Sequence, residues 1–189
     1  MIKKMLKNII VFPFTYYKRK KIVRLINQTE SYRVFIFDID NTIADTLPSL
    51  ELNHWKNEAE RIATLPIFIK MHRLLKILYS NKRNKIYFLT ARSYFSYEAT
   101  YTWLKEMELP VERDEIFITR TAEEKKEIFK EVDLKRLNVY YLDDLAYLAS
   151  KNNLLLHKDL IEYFQQLSEK KIIKFFGINE LEEFIRKTK

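Results

Sequence analysis

Two carboxylates, Asp38 and Asp40, stand one residue apart at the end of the apolar run Val34–Phe37, with Asn41 and Thr42 following. Four apolar residues bounded by polar ones suit a fully buried strand, although periodicity alone fits a buried helix as well. A strand would place Asp38 at its carboxyl end, where open α/β sheets keep their ligand crevices. Two acids crowded there repel each other unless a cation or a shared proton compensates them. Such a pair suits Mg²⁺ binding and acid–base chemistry. A bare Asp-x-Asp also suits a strand that ends in an Asx-type turn. Partners elsewhere in the chain must decide between the two.

Two further apolar runs end in residues of related chemistry. Lys85-Ile-Tyr-Phe-Leu89 stops at Thr90-Ala91-Arg92, and Val139–Leu142 stops at Asp143-Asp144. Between them, Thr121 and Glu124 form a capping-box pattern that opens a helix, and Ile128, Phe129 and Val132 give that helix a buried stripe. Lys125 lies three, four and seven residues before those apolar positions and prolongs the stripe, whereas Lys126 points elsewhere. A lysine at a helix start on the core-facing side runs against the helix dipole and is expected to meet an anion. The alternative is a lysine snorkelling from the edge of the core.

The elements that must bring these groups together are legible in outline. Spacing near 3.6 predicts helices over Thr46–Leu65 and Pro66–Arg83, divided at Leu65-Pro66 because proline disfavours helix before it and starts helices well. Ser93–Met107 reads as a further helix, with Tyr97, Tyr101 and Leu104 on one face. Ile116–Ile118 reads as a short strand, Leu160–Leu167 as a helix, Ile172–Phe176 as a last strand and Glu180–Lys187 as a terminal helix. Strands alternating with helices predict a parallel α/β sheet of about five strands, with right-handed crossovers and helices on both faces. Such a sheet collects the three polar strand ends along one edge, so two acids, a hydroxyl, an ammonium and two more acids converge.

Composition removes competing chemistries. The 189 residues hold no cysteine, which excludes disulfides and thiolate metal sites, and three scattered histidines argue against zinc. Gly177 is the single glycine, so no glycine-rich loop cradles phosphate. Residues 1–30 carry eight Lys or Arg against one acid, Glu30, a balance of +7 out of the chain's +8. The basicity therefore belongs to an N-terminal arm ahead of a nearly neutral domain spanning 31–189. The arm has too short an apolar stretch for a signal peptide and no cleavage site, and no later segment has the ~18 apolar residues of a membrane span. It is expected to dock its apolar side on the domain or to make peripheral contact with an anionic membrane, nucleic acid being the least favoured partner. The expected location is cytoplasmic.

Taken together, these motifs resemble the haloacid-dehalogenase-like (HAD) phosphohydrolase superfamily over roughly residues 33–145. Phe37-Asp-Ile-Asp-Asn-Thr42 resembles its first motif, Leu89-Thr90 its second, Lys125 its third and Leu142-Asp143-Asp144 its fourth. The resemblance implies a Rossmann-like sheet and Mg²⁺-dependent phosphoryl transfer through an aspartyl-phosphate. It implies Asp38 as nucleophile and Asp40 as general acid and base, the feature that separates phosphatases from dehalogenases in the superfamily. Mg²⁺ would be held by Asp38, the Asp40 carbonyl and Asp143, with Asp144 behind, although the last two acids could exchange roles. Thr90, Lys125, Asn41 and Arg92 would face the phosphorylated substrate. The intervals between motifs leave no room for a large cap domain, so residues 46–65 are a small lid at most. Leu-Thr-Ala-Arg92 followed by Tyr94, Tyr97, Tyr101 and Trp103 looks most like phosphatase domains of the polynucleotide kinase type, which makes a 3′- or 5′-end phosphatase the alternative. Against it, the +1 body lacks the basic surface that polynucleotides need, and those aromatic residues suit a helix core. A non-catalytic phosphate-binding or regulatory module is the third reading.

Overall fold

A computed structural model describes residues 17–31, 33–51, 55–150 and 153–186. Residues 17–27 form helix α1. The chain continues through β1 (Arg33–Phe37), α2 (Leu47–Glu51), α3 (Glu58–Ala63), α4 (Ile69–Ser80), β2 (Asn84–Ala91) and α5 (Tyr97–Glu106). Next come β3 (Ile116–Thr119), α6 (Ala122–Glu131), β4 (Asn138–Leu142) and a hairpin of β5 (Ala146–Ser150) and β6 (Asn153–Leu156). The chain ends in α7 (Lys158–Glu169), β7 (Ile173–Phe176) and α8 (Ile178–Arg186).

Five strands make one parallel sheet in the order β3-β2-β1-β4-β7. The first strand is therefore central, with Phe37 level with Phe88 of β2 on one side and with Leu142 of β4 on the other. Strand side chains alternate between faces. Val34 and Ile36 join a core with Ile128, Phe129, Leu160 and Phe164 of α6 and α7. Phe35 and Phe37 join a second core with Met71, Leu75, Trp103 and Leu104 of α4 and α5. Burial on both faces is why β1 reads as a continuous apolar run rather than an alternating one.

Part of the basic arm belongs to the body. Ile22, Val23 and Ile26 of α1 are buried in the first core, and the Tyr87 hydroxyl donates to the Leu25 carbonyl. The arm's remaining residues, 1–16, lie outside the described residues. No helix among the described residues is long and apolar enough to cross a membrane.

Two local expectations are corrected. The spacing from Ser49 to Ile62 predicted one helix, but α2 and α3 are separate. Asn57 caps the second by accepting the Glu60 N–H at 2.9 Å, and the Trp55 indole donates to the Ser49 carbonyl at 3.0 Å. A cap residue offers the backbone an alternative to continuing helix, and here that alternative wins. The β5–β6 hairpin, which follows β4 directly, was not read from the sequence at all. Residues 46–65 hold α2 and α3 alone, residues 52–54 lying outside the described residues. The segment is tied down where Asp45 N donates to Pro66 O and Trp103 Nε1 to Leu65 O.

Candidate active site

The site forms where β1, β2 and β4 end together. Asp38 N still donates to Leu142 O at 2.8 Å, and Asp143 N to Phe176 O at 3.2 Å, so both acids begin where the sheet ladder stops. Beyond Asp40 the backbone turns through Asn41 at φ 55°, a left-handed conformation that asparagine adopts more readily than most residues. Asn41 Oδ1 accepts the Leu47 N–H at 3.2 Å and so fixes the loop into α2. Asn41 was expected to face the substrate; in the structure its side-chain oxygen holds the turn. A second left-handed residue, Leu145 at φ 48°, directly follows Asp143-Asp144. Its N–H donates to Asp143 Oδ1 and its carbonyl accepts the His157 N–H, both at 2.9 Å. These bonds hold a conformation that costs about 1–3 kcal/mol.

The acids fall into two clusters. In the first, Lys125 Nζ lies 2.7 Å from Asp38 Oδ1 and 2.7 Å from Asp143 Oδ2. Lys125 is 3% exposed, on the same face of α6 as Ile128 and Phe129, as its spacing predicted. Thr121 is the N-cap position as expected, but its side chain makes no cap bond, and Glu124 accepts the Arg120 N–H instead. Tyr141 also donates its hydroxyl to Asp143 Oδ2. Side-chain oxygens of Asp38, Asp143 and Asp144 all lie within 4.8 Å of one another. The Asp38 carboxyl stands at about 7, raised chiefly by burial against the pull of Lys125, with Asp143 and Asp40 adding to the rise. Burial, with Asp143 and Asp38 adding to it, raises Asp144 well above the usual carboxylate range. Burial would lower the Lys125 ammonium, but Asp143 and Asp38 outweigh it and hold the lysine charged.

The second cluster surrounds Asp40. Arg92 forks onto it, with Nε 2.6 Å from Oδ2 and Nη2 2.7 Å from Oδ1, while Arg92 Nη1 donates to Thr100 Oγ1 at 3.0 Å. Thr46 Oγ1 donates to Asp40 Oδ1 at 2.8 Å, and Thr90 Oγ1 to Oδ2 at 3.3 Å. Burial would raise the Asp40 carboxyl, but the charge and hydrogen bonds of Arg92, with Thr46, hold it below the usual range. Arg92 was expected to meet the substrate; the structure places it, buried, as a clamp on Asp40. Thr90 donates to the same carboxylate.

A cleft of about 300 Å³ opens onto Asp38, Asp40, Lys125, Asp143 and Asp144, and its outer wall includes Arg120, Tyr147 and His157. The structure thus gathers Asp38, Asp40, Lys125, Asp143 and Asp144 on the cleft and places Thr90 and Arg92 behind Asp40. The last two acids stand in different surroundings. Asp143 is engaged by Lys125, Tyr141 and the Leu145 N–H, whereas the Asp144 backbone N–H is anchored on Thr42 Oγ1 at 3.2 Å. Sequence reasoning missed Thr46, Tyr141 and Arg61. Tyr141 sits two residues before Asp143 and so shares its side of the strand, a signal open to the period-2 rule. Arg61, half-buried on α3, lowers the Asp40 carboxyl by its charge and donates to Ser49 Oγ at 3.2 Å. Nothing local in the sequence marked it.

Solved structures share this architecture. One chain of a Pnkp1/Rnl/Hen1 complex superposes with a TM-score of 0.52 at 16% identity, over 79% of this chain and 47% of that one. The class C acid phosphatase from Bacillus anthracis superposes with a TM-score of 0.51 at 17% identity, over 88% of this chain and 77% of that one. This chain spans about half the length of the chain it matches in the complex. Neither a family model nor a curated protein matches the sequence. The fold is the Rossmann-like α/β fold expected from the motifs, a parallel sheet of five strands flanked by helices.

The aromatic residues that suggested polynucleotide ends are engaged in packing. Tyr97 donates to the Arg113 carbonyl, Tyr101 lies under the Arg113 guanidinium, and Trp103 is fully buried.

Proposed function

We propose that this chain is an Mg²⁺-dependent phosphomonoesterase that works through an aspartyl-phosphate on Asp38. The observation that carries the reading is the convergence of Asp38, Lys125 and Asp143 at 2.7 Å contacts from three separate elements, with Asp144 completing a group of three buried acids. One lysine balances one of three carboxylates, and the two remaining negative charges with their hard oxygen donors fit a divalent cation such as Mg²⁺. Asp38 and Asp144 would hold it with the Asp40 carbonyl, while Asp143 fixes Lys125. Bound there, the ion would draw charge from the phosphoryl oxygens and let a carboxylate approach an anionic phosphate.

The chain's own residues supply the rest. An Asp38 carboxylate oxygen forms a bond to phosphorus as the bond from phosphorus to the leaving oxygen breaks. Asp40, which Arg92 and Thr46 keep ionised in the free protein, takes up a proton as the anionic substrate binds beside it and passes that proton to the leaving oxygen. Arg92 and Thr46 then favour the resulting Asp40 carboxylate, the form that removes a proton from water for attack on the acyl phosphate. That attack releases inorganic phosphate and restores the Asp38 carboxylate. Lys125 holds Asp38 in place and offers its charge to the phosphoryl oxygens.

Release of phosphate from an aryl phosphate tests the reading. Turnover should require Mg²⁺, stop with a chelator and vanish in Asp38→Asn. If Asp38→Asn kept more than about a tenth of wild-type kcat, a loss under ~1.4 kcal/mol, Asp38 would not be the nucleophile. Absence of any Mg²⁺-dependent turnover across sugar phosphates, nucleotides and phosphorylated oligonucleotides would favour the non-catalytic module. The polynucleotide-end alternative would show as faster phosphate release from 3′- or 5′-phosphorylated oligonucleotides than from sugar phosphates.

A further inference from the structure

One basic side chain on the cleft has no acid to meet. The lining acids are Asp38, Asp40, Glu123, Asp143 and Asp144, and the basic side chains are Arg120, Lys125 and His157. Lys125 is taken up by Asp38 and Asp143, and His157 Nδ1 lies 3.5 Å from Glu123 Oε1. Arg120 differs from both: it stands exposed on the outer wall and forms no ion pair with any described residue. The acids closest to it in the chain are engaged elsewhere. Glu124 accepts the Arg120 backbone N–H at 3.1 Å, while Glu123 faces His157 and takes a hydrogen bond from Thr121. On the same wall Tyr147 and His157 stack with ring centroids 4.5 Å apart. They present ring surface, so Arg120 is the group there that can grip a charge.

Position and chemistry say what that guanidinium meets. At about 300 Å³ the cleft is at the small end of ligand pockets, so a phosphoryl group at Asp38 leaves room for a short leaving group only. Asp40 and Arg120 line the same cleft, so a leaving group whose oxygen meets Asp40 lies in the hollow that Arg120 walls. The acids around that hollow repel a second anion unless a cation receives it. A guanidinium offers two parallel N–H donors that match a carboxylate or a phosphate, and one outside any ion pair has both to give. We propose that the cleft takes a small phosphomonoester whose leaving group carries a second oxyanion, and that Arg120 binds that oxyanion. The reaction part of this proposal rests on the phosphomonoesterase reading; the binding preference does not depend on turnover. Arg61 is the other guanidinium near Asp40, but it is half-buried on α3, donates to Ser49 Oγ and is not among the residues that line the cleft.

The test uses the full chain with Mg²⁺ and two phosphonates of matched size that resist hydrolysis, 4-phosphonobutyrate and butylphosphonate. Titration calorimetry should show the carboxylate-bearing ligand binding at least about tenfold tighter. Arg120→Met should remove that preference, and Arg120→Lys, which keeps the charge without the fork, should retain part of it. Arg120 is exposed, so neither substitution touches the core. Arg61→Met is the comparison: Arg61 acts through Asp40 alike for both ligands, so the ratio of affinities should stay. The ratio of kcat/KM for 2-carboxyethyl phosphate to that for propyl phosphate should follow the same pattern across the variants. Propane-1,3-bisphosphonate identifies the oxyanion: binding tighter than that of 4-phosphonobutyrate assigns a second phosphate, and weaker binding assigns a carboxylate. Equal affinities for the first two ligands overturn the proposal and leave Arg120 a solvated surface residue. A preference that survives Arg120→Met, or that vanishes in Arg61→Met instead, overturns it as well. A binding preference without phosphate release from any ester supports the subsite and overturns the phosphomonoesterase reading. Phosphate release without the preference leaves that reading standing and overturns this one.

Discussion

Replacing Lys125 with methionine removes the positive charge from a buried group of acids while keeping most of the side chain's volume. Lys125 contacts Asp38 and Asp143 at 2.7 Å each, and both acids are almost completely buried. Breaking a buried ion pair by removing one partner costs about 3–5 kcal/mol, because the other charge is left uncompensated. For a chain of this length each kcal/mol moves the melting temperature by roughly 2–4 °C, so Lys125→Met should melt about 10 °C lower near pH 7.5. The sign of the pH dependence follows from Asp38. Its carboxyl stands at about 7 in the folded protein against an ordinary 3.8, chiefly because of burial. A carboxyl that titrates higher when folded holds its proton more tightly in the native state, so its contribution to stability falls as pH rises through that window. Lys125 is the group that pulls Asp38 down, so the variant's window reaches higher and its deficit shrinks as pH falls toward about 5. Thermal melts from pH 5 to 8, with and without Mg²⁺, measure this, and Mg²⁺ should restore part of the loss. Lys126→Met is the control: Lys126 Nζ lies 4.8 Å from the Tyr163 ring, a contact worth under about 1 kcal/mol. Equal melting temperatures for Lys125→Met and wild type near pH 7.5, or a larger drop for Lys126→Met, would refute the reasoning.

Three further outcomes are expected. Arg92→Lys keeps the charge but loses the planar fork, so phosphate release should fall at least about tenfold in a protein that still folds; an unchanged rate would mean that Asp40 does not depend on the clamp. Titration calorimetry should show Asp144→Asn weakening Mg²⁺ binding more than Asp143→Asn, and the opposite order would return Asp143 to the metal. Deleting residues 1–28 removes Ile22, Val23 and Ile26 from the core. At about 1.5–3 kcal/mol for each buried side chain, that is a large part of a typical domain's stability. Deleting residues 1–16 leaves those side chains in place and should leave the melting temperature close to wild type. A shift of similar size in both truncations would show that α1 contributes little.

Local pattern in the chain was enough to specify the nearest-neighbour part of the site. Val34–Phe37, Lys85–Leu89 and Val139–Leu142 could be read as strands because burial on both faces leaves an unbroken apolar run. Their polar ends then follow from where the sheet stops. Lys125 was assigned to its face because helical periodicity places it in line with Ile128 and Phe129 whatever lies opposite. Periodicity reports that a side chain is buried, and is silent on which group it meets. The Arg92–Asp40 fork spans 52 residues and the Lys125–Asp38 contact spans 87. Such pairs depend on the order and register of the strands, which put β1 between β2 and β4. The same dependence kept the role of Asp143 from view, because Lys125 reaches it only once α6 packs against the sheet. It also hid the docking of α1, whose apolar residues could have met lipid as readily as the sheet until tertiary packing supplied Tyr87 and Phe129 as neighbours. Local pattern specified the kinds of group at the sheet edge, and only long-range packing decided which of them act on one another.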